Sequence, residues 1–244
     1  MKLLIAIFIM CFPISSYADE VLIAVAANFA RPMEKITAEF QKDTGHKISA
    51  SYGSTGKFFT QILRGAPFEV LLAADEEHPE KLLAAGLAQA QTDFVYAIGK
   101  LVLWSPKTDF VDAEGKVLQG KEFRHLSMAA PKLAPYGAAA EELLKNLKLW
   151  TKLEDKLIYG ENISQTHQFV VSGNAELGFV SLSQVKDFKG SFWLPPQNLY
   201  KPLKQKAILL KGGKNKKVAE VFLTYLKSEK VQKILREFGY EVGP

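Results

Sequence analysis

The chain has 244 residues and a formal net charge of +5, and its single cysteine is Cys11. Because Cys11 lies in an N-terminal segment that we expect to be removed, the mature chain would have neither a disulfide nor thiol chemistry. The positive excess is modest and spread along the chain. Its densest run, Lys211 to Lys217, precedes a helical pattern and is interpreted as a solvated loop, which argues against a nucleic-acid or membrane patch.

The N-terminal segment has the pattern of a secretory signal peptide. Lys2 supplies a positive start, and residues 3–13 form an apolar run too short to span a bilayer. Ser16 and Ala18 place small residues at the −3 and −1 positions of a cut after Ala18. We therefore expect residues 1–18 to be cleaved and the protein to be exported to the periplasm. A membrane anchor is the alternative, and the short apolar core disfavours it.

The first part of the expected mature chain alternates strand and helix patterns. Apolar residues recur at helical spacing at Met33, Ile36 and Phe40, and this stripe ends near Gly45. Buried strands are predicted at 21–27, 48–52, 70–74, 94–98 and 101–104, with a helix after each of the first three. The alternation is typical of an α/β protein with a mostly parallel sheet.

A second series of the same kind begins at residue 126. Strands are predicted at 126–130, 157–159, 177–180 and 192–194, and one of the helices between them covers 163–172. A last strand at 207–210 leads into two C-terminal helices. Two series predict two lobes with a ligand cleft that closes on a hinge. We assign residues 19–98 and 207–244 to lobe 1 and residues 99–206 to lobe 2.

The junctions from strand to helix carry the main functional signal. One predicted strand runs into Asn28, and the next runs into a Gly-Ser-Thr-Gly segment that contains Thr55. A helix start leaves backbone N–H groups without partners and carries partial positive charge, which suits an anion. Tyr136 and Ile163 stand at the equivalent junctions of the second series. An ordinary helix cap is the alternative at each position, but the recurrence of one junction type favours an anion site.

Patterns for catalysis are weak. The histidines are scattered, at 46, 78, 125 and 167, without the spacing of metal ligands. Gly53 and Gly56 stand too close together for a nucleotide phosphate loop, and the chain has no Gly-x-Ser-x-Gly elbow. Residues 75–77 (Asp-Glu-Glu) are interpreted as the acidic start of a helix. The sequence therefore predicts no catalytic residue, no bound metal cation and no cofactor.

Seven short motifs in a fixed order resemble the periplasmic molybdate-binding proteins, the substrate-capturing components of molybdate ABC transporters. They are Val-Ala-Ala-Asn at 25–28, Ser-Tyr-Gly-Ser-Thr-Gly-Lys at 51–57, Gly-Ala-Pro-Phe-Glu-Val at 65–70, Ala-Ala-Asp at 73–75, Pro-Tyr-Gly at 135–137, Gly-Glu-Asn-Ile at 160–163 and Leu-Gly-Phe-Val at 177–180. Each motif alone is weak, whereas their order and spacing across nearly all of the mature chain are fairly specific.

The resemblance implies a two-lobed binding protein of type II that holds a tetrahedral oxyanion through neutral donors. Asn28 matches a Ser or Asn donor of the family, and Thr55 matches a position that is usually Ser. Tyr136 matches a position that is Ala in some members and Tyr in others, and Ile163 matches an aliphatic residue that donates its backbone N–H. Some members place a ligand tyrosine where this chain has Ser181, so we expect Tyr136 to supply the phenolic hydroxyl instead.

The implied function is capture of molybdate, and of tungstate, for delivery to the permease subunits of an ABC transporter in the inner membrane. We expect a monomer that performs no reaction and binds no nucleic acid. Size separates molybdate from sulfate, because a cavity built for longer metal–oxygen bonds would hold sulfate loosely. Molybdate and tungstate have almost the same size, and the sequence does not separate them.

Three alternatives stay open on the residues alone. The first is a receptor for sulfate, phosphate or another small oxyanion. The second is an exported α/β hydrolase, which would need a serine, a histidine and an acid together in the cleft. The third is a sensor or adhesion module that uses the same fold. The role of Ser181, and the division of work between Ser54 and Thr55, also stay open.

Overall fold

The computed structural model describes residues 19–242, so the expected signal peptide lies outside the described residues. The strands are β1 (Glu20–Ala26), β2 (Lys47–Gly53), β3 (Val70–Leu72), β4 (Phe94–Gly99), β5 (Leu101–Ser105), β6 (Leu126–Ala129), β7 (Leu157–Gly160), β8 (Leu177–Ser181), β9 (Ser191–Trp193) and β10 (Leu203–Leu209). The α-helices are α1 (Ala30–Thr44), α2 (Thr55–Leu63), α3 (Glu77–Ala84), α4 (Pro135–Asn146), α5 (Trp150–Leu153), α6 (Ile163–Val171), α7 (Leu182–Val185), α8 (Lys216–Leu226) and α9 (Glu229–Glu237). Each of these helices is too short or too polar to cross a bilayer.

Two five-stranded sheets form the centres of the two lobes, which confirms the predicted fold class. The first sheet has the order β2-β1-β3-β10-β4 and the second has the order β7-β6-β8-β5-β9. In each sheet a single strand, β10 or β5, pairs antiparallel with both of its neighbours. The other strands of each sheet therefore run in one direction, and their carboxyl ends meet at one edge.

The two reversed strands are also the ones that follow the passages between lobes. The chain leaves the first sheet at Gly99, passes through Lys100 and enters β5 in the second sheet. It returns before Leu203, so residues 203–206, which the sequence analysis assigned to lobe 2, pair with β4 in the first sheet. The C-terminal segment lies beside the same passage, because Glu241 exchanges two backbone hydrogen bonds with Ile98.

The continuous apolar run of β1 is explained by burial on both faces of the first sheet. Val21, Ile23 and Val25 pack in the cluster that also contains residues of α1, α8 and α9. Ala24 points to the opposite cluster, with Phe58 of α2. Because side chains alternate along a strand, a strand covered on both faces is apolar at every position.

Helix positions follow from the same alternation of strand and helix. The register pairs Ala26 with Gly53 at the end of β1 and β2, and it pairs Ala129 with Gly160 at the end of β6 and β7. Each of these four strands is followed by a helical turn. The two lobes therefore present two helix starts each at neighbouring strand ends, and ligands in open α/β folds bind in crevices at such ends.

Candidate functional site

A small cavity, with about 10 Å³ of space for a water-sized sphere, lies where the helix starts of the two lobes face each other. Its lining residues are Ala26, Ala27, Asn28, Gly53, Ser54, Thr55, Ala74, Ala134, Pro135, Tyr136, Asn162 and Ile163. All of these side chains are uncharged. This space is far below the range of about 300–1,000 Å³ that is typical of pockets for organic ligands, so it suits a small ion.

All four residues predicted from the sequence line this one cavity. Asn28 and Thr55 come from lobe 1, and Tyr136 and Ile163 come from lobe 2. Their exposed fractions are 1–3%. The fold thus brings together positions that are up to 135 residues apart in the chain and shields them from bulk water.

The backbone N–H groups of these four residues are free to bind a ligand. In a helix, the first N–H groups have no carbonyl partner in a preceding turn. Among the turn, loop and cap hydrogen bonds of residues 19–242, none is donated by the N–H of Asn28, Thr55, Tyr136 or Ile163. Four such groups around one cavity provide a partial positive charge without any cationic side chain.

Ser54 also lines the cavity, and the sequence analysis left its role open. It is 3% exposed, and its Oγ is buried without a hydrogen-bond partner. Ser54 occupies the N-cap position of α2, yet its side chain makes no capping hydrogen bond. A buried polar atom without a partner is costly in a folded protein, which marks this hydroxyl as one that a ligand would satisfy.

Thr55 has one contact that fixes the direction of its hydroxyl group. Its Oγ1 accepts a hydrogen bond from the backbone N–H of Ala74 at 3.0 Å. Since that contact uses a lone pair of the oxygen, the hydroxyl proton stays available for donation. Ser54 and Thr55 are therefore both suited to donate.

The side chain of Asn28 differs from the expectation that it donates to a ligand. Its Nδ2 donates to Gln205 Oε1 at 2.9 Å and to Tyr240 Oη at 3.0 Å, so both amide hydrogens are used within the protein. Asn28 therefore has only its backbone N–H left as a donor. The sequence could not reveal this, because Gln205 and Tyr240 are far away along the chain.

Tyr136 lies with its phenol deep between the lobes. Burial raises the pKa of its hydroxyl well above the ordinary value, and the nearby Tyr240 adds to this effect. The group therefore stays neutral and keeps its proton at physiological pH. Its Oη is close to Ser181 Oγ at 3.2 Å and to Gln205 Nε2 at 3.3 Å.

The lobes touch each other around the cavity. Gly56 N–H donates to the carbonyl of Leu133 at 3.0 Å, and Ser164 Oγ donates to the carbonyl of Ala27 at 3.2 Å. Lys57 of lobe 1 forms an ion pair with Glu161 of lobe 2. These contacts join the two lobes beside the cavity.

The histidines lie elsewhere. The ring of His167 packs between those of Trp104 and Phe188, with centroid distances of 5.2 and 5.3 Å. His78 is paired with Asp75 in the same helix start, which agrees with the interpretation of residues 75–77. None of these side chains lines the cavity, and within residues 19–242 no three His, Cys, Asp or Glu side chains group as metal ligands.

A wider depression opens beside the cavity and shares Ala74 and Pro135 with it. It is larger, at about 310 Å³, and it carries both acidic and basic side chains: Asp75, Glu76, Glu77, Glu142, Lys201 and Lys204. Its carboxylates would repel an oxyanion. The small neutral cavity is therefore the better candidate.

The comparisons with known proteins agree with this geometry. The family model described as bacterial extracellular solute-binding protein matches residues 21–241. The chain belongs to this family. It is 51% identical to the molybdate-binding protein ModA of Azotobacter vinelandii, over 93% of this chain and 91% of the relative. It is 46% identical to ModA of Rhodobacter capsulatus, over 95% of this chain and 92% of that protein.

A solved structure gives the same result for the fold. The periplasmic molybdate-binding protein of Azotobacter vinelandii superposes with a TM-score of 0.90 at 40% identity, covering 92% of this chain and all of that one. The resemblance found in the sequence motifs is confirmed. Members of the family are substrate-binding proteins of transport systems. The chain is therefore one of the two-lobed periplasmic binding proteins.

Proposed function

We propose that this protein captures molybdate, and also tungstate, in the periplasm and delivers it to the permease of an ABC transporter. The observation that carries the proposal is the ring of four unpaired backbone N–H groups around a buried, uncharged cavity. The hydroxyls of Ser54 and Thr55 lie in the same cavity. The names of the relatives that share about half of this sequence support the choice of oxyanion.

Neutral donors hold a dianion by charge-assisted hydrogen bonds, each of which contributes about 1.5–3 kcal/mol. Four N–H groups and two hydroxyls can surround a tetrahedral oxyanion without a paired lysine or arginine. Asn28, Thr55, Tyr136 and Ile163 are the proposed ligands, with Ser54 as an additional donor. The first two act from lobe 1 and the next two from lobe 2, so binding favours closure of the lobes.

The protein's part in transport follows from this mechanism. The lobes close around the anion, carry it across the periplasm and open at the permease. We propose that the protein acts as a monomer, performs no reaction, and reaches the periplasm through cleavage of the signal peptide at residues 1–18. The fixed span between the helix starts would set selectivity, because sulfate has shorter bonds and would reach fewer donors at once.

A panel of anions tests the proposal. The mature protein is titrated calorimetrically with molybdate, tungstate, sulfate and phosphate, and its thermal unfolding is measured with each anion at millimolar concentration. A ligand at 1,000 times its Kd stabilises the folded state by about 4 kcal/mol. We expect strong stabilisation by molybdate and tungstate and little by the others. Preferential binding of sulfate or phosphate would show a receptor for a different oxyanion.

A further inference from the structure

Behind the cavity, the two lobes meet through a buried network of uncharged polar side chains. Its members are Asn28, Tyr96, Gln205 and Tyr240 from lobe 1 and Tyr136, Ser181 and Ser183 from lobe 2. Each of them is at most 4% exposed. Two of them, Asn28 and Tyr136, also line the cavity, whereas Gln205 does not.

Gln205 lies at the centre of this network and connects the two lining residues. Its Oε1 accepts hydrogen bonds from Asn28 Nδ2 at 2.9 Å and from Tyr96 Oη at 3.0 Å. Its Nε2 donates to Tyr136 Oη at 3.3 Å. One fully buried amide thus contacts one proposed ligand residue from each lobe.

The backbone around Gln205 is shaped for this contact. The pairing of β10 with β4 has an irregularity between Gln205 and Lys206, and such bulges often redirect a side chain. On the opposing strand stands Gly99, where an added Cβ would lie 2.0 Å from Tyr136 Oη and 2.5 Å from Gln205 Nε2. Only glycine leaves room there for the two side chains to meet.

The chemistry of the amide determines the direction of the Tyr136 hydroxyl. An amide N–H can only donate, so the Tyr136 oxygen must accept from Gln205, and its own proton points elsewhere. Ser181 is the second neighbour of that oxygen, and it is linked to Ser183 at 2.7 Å, which in turn accepts from Tyr240 at 3.0 Å. Ser183 Oγ and Tyr240 Oη each donate to the Asn28 carbonyl at 2.9 Å, so this chain of hydroxyls connects the phenol to Asn28 a second time.

We propose that Gln205 is a positioning residue of the oxyanion site, which holds the Tyr136 side chain of one lobe and the Asn28 side chain of the other and so keeps their backbone N–H groups in place. Ser181 assists it from the second side of the phenol. This inference rests on the proposed function and extends it, because Gln205 acts only through Tyr136 and Asn28. A neutral amide does this without placing a charge next to the dianion. The contact between Gln205 and Tyr136 crosses from one lobe to the other, so it also links closure of the lobes to the position of these two ligand residues.

The test is a double-mutant cycle on molybdate affinity, measured by calorimetry on the mature protein. Gln205→Met keeps the length of the side chain but removes both polar groups, and it is combined with Tyr136→Phe. We expect Gln205→Met to raise the Kd about tenfold in the wild-type background and less than about threefold when Tyr136 is already Phe. Ser105→Ala is the matched control, because its buried hydroxyl bonds the carbonyl of Glu176 away from the cavity. Its Kd should stay within about twofold of wild type.

Ser181→Ala serves as the second variant if thermal denaturation shows that Gln205→Met is not folded. We expect it to raise the Kd about threefold, and this effect should vanish in the Tyr136→Phe background. Equal effects in both backgrounds would show that Gln205 does not act through Tyr136, and that result or an unchanged Kd would overturn a positioning role that joins the two lobes while leaving the proposed function intact. Absence of molybdate binding by the wild-type protein would overturn both.

Discussion

The helix starts of α2 and α6 face the same cavity from opposite lobes, but they use their N-cap residues differently. Asn162 caps α6 with its own side chain, since its Oδ1 accepts from the N–H of Ser164 at 2.9 Å and of Gln165 at 3.0 Å. Ser54 stands at the same position of α2 and makes no capping contact. In lobe 2 the cap is satisfied internally, and Ile163 offers only its backbone N–H. In lobe 1 the cap side chain stays available to a ligand.

This difference shows that a residue type favoured at N-caps does not by itself reveal whether it stabilises its helix or binds a ligand. The two roles predict opposite effects of substitution. Removal of a capping side chain lowers the stability of the protein, whereas removal of an unpaired buried hydroxyl lowers affinity. Four experiments test the comparison, beginning with the one that should have the largest effect.

Substitution of the glycine that precedes each helix start should give the largest difference in stability between the two lobes. A Cβ on Gly160 would lie 2.7 Å from the backbone nitrogen of Thr166, whereas a Cβ on Gly53 would meet only the ring of Phe58, at 3.1 Å. Because a ring shifts more easily than backbone, we expect Gly160→Ala to lower the free energy of unfolding by about 3 kcal/mol and Gly53→Ala by less than about 1 kcal/mol. Chemical denaturation of both variants provides the measurement. Similar losses in the two would show that the start of α6 is not the more tightly packed one.

Ser54→Ala should weaken molybdate binding without destabilising the protein. Loss of one charge-assisted hydrogen bond corresponds to about 1.5–3 kcal/mol, that is, a Kd raised at least tenfold. The ligand-free protein should keep or slightly increase its thermal stability, because a buried hydroxyl without a partner is removed. Calorimetry and thermal denaturation give the two quantities. An unchanged Kd would exclude Ser54 as a ligand and leave Thr55 as the only hydroxyl donor of α2.

Asn162→Ala should show the reverse pattern. Loss of an N-cap side chain lowers the free energy of unfolding by about 1 kcal/mol. The affinity for molybdate should change less than about threefold, because the Ile163 N–H remains in place. Urea denaturation and titration of the same preparation measure both. A larger effect on affinity than that of Ser54→Ala would contradict the distinction between the two caps.

The ion pair between Lys57 and Glu161 should contribute least to the affinity for molybdate. Its side chains are 41% and 61% exposed, and exposed pairs contribute only about 0.2–1 kcal/mol. Glu161→Gln should therefore raise the Kd no more than about fivefold. Its effect should disappear at high ionic strength, where exposed charges are screened. Titrations of Glu161→Gln and of the wild-type protein with molybdate, at low and at molar salt, compare the two Kd values. An effect of Glu161→Gln that is independent of salt would mean that this pair holds the closed form through something other than charge.

Local sequence patterns were enough to predict the fold class, the two series of strands and helices, and the junctions that carry the site. These features depend on local patterns. The apolar run of β1, the stripe of α1 and the small residues around Thr55 specify strand, helix and helix start through nearest neighbours. Because parallel strands end at one edge of a sheet, the placement of Asn28 beside Thr55 also follows from chain order. Motifs of this kind were sufficient for the family resemblance.

Which donor atoms of the site are free depends on contacts between distant parts of the chain. Gln205 and Tyr240 occupy both amide hydrogens of Asn28, while the neighbouring Ser54 hydroxyl finds no partner. Hydrogen bonding between residues that are distant along the chain depends on the docking of whole lobes and helices, and no local pattern encodes it. The same reason explains why the sequence left the role of Ser181 open. Its partner Tyr136 lies 45 residues away along the chain, and the packing of the two lobes brings the two hydroxyls together.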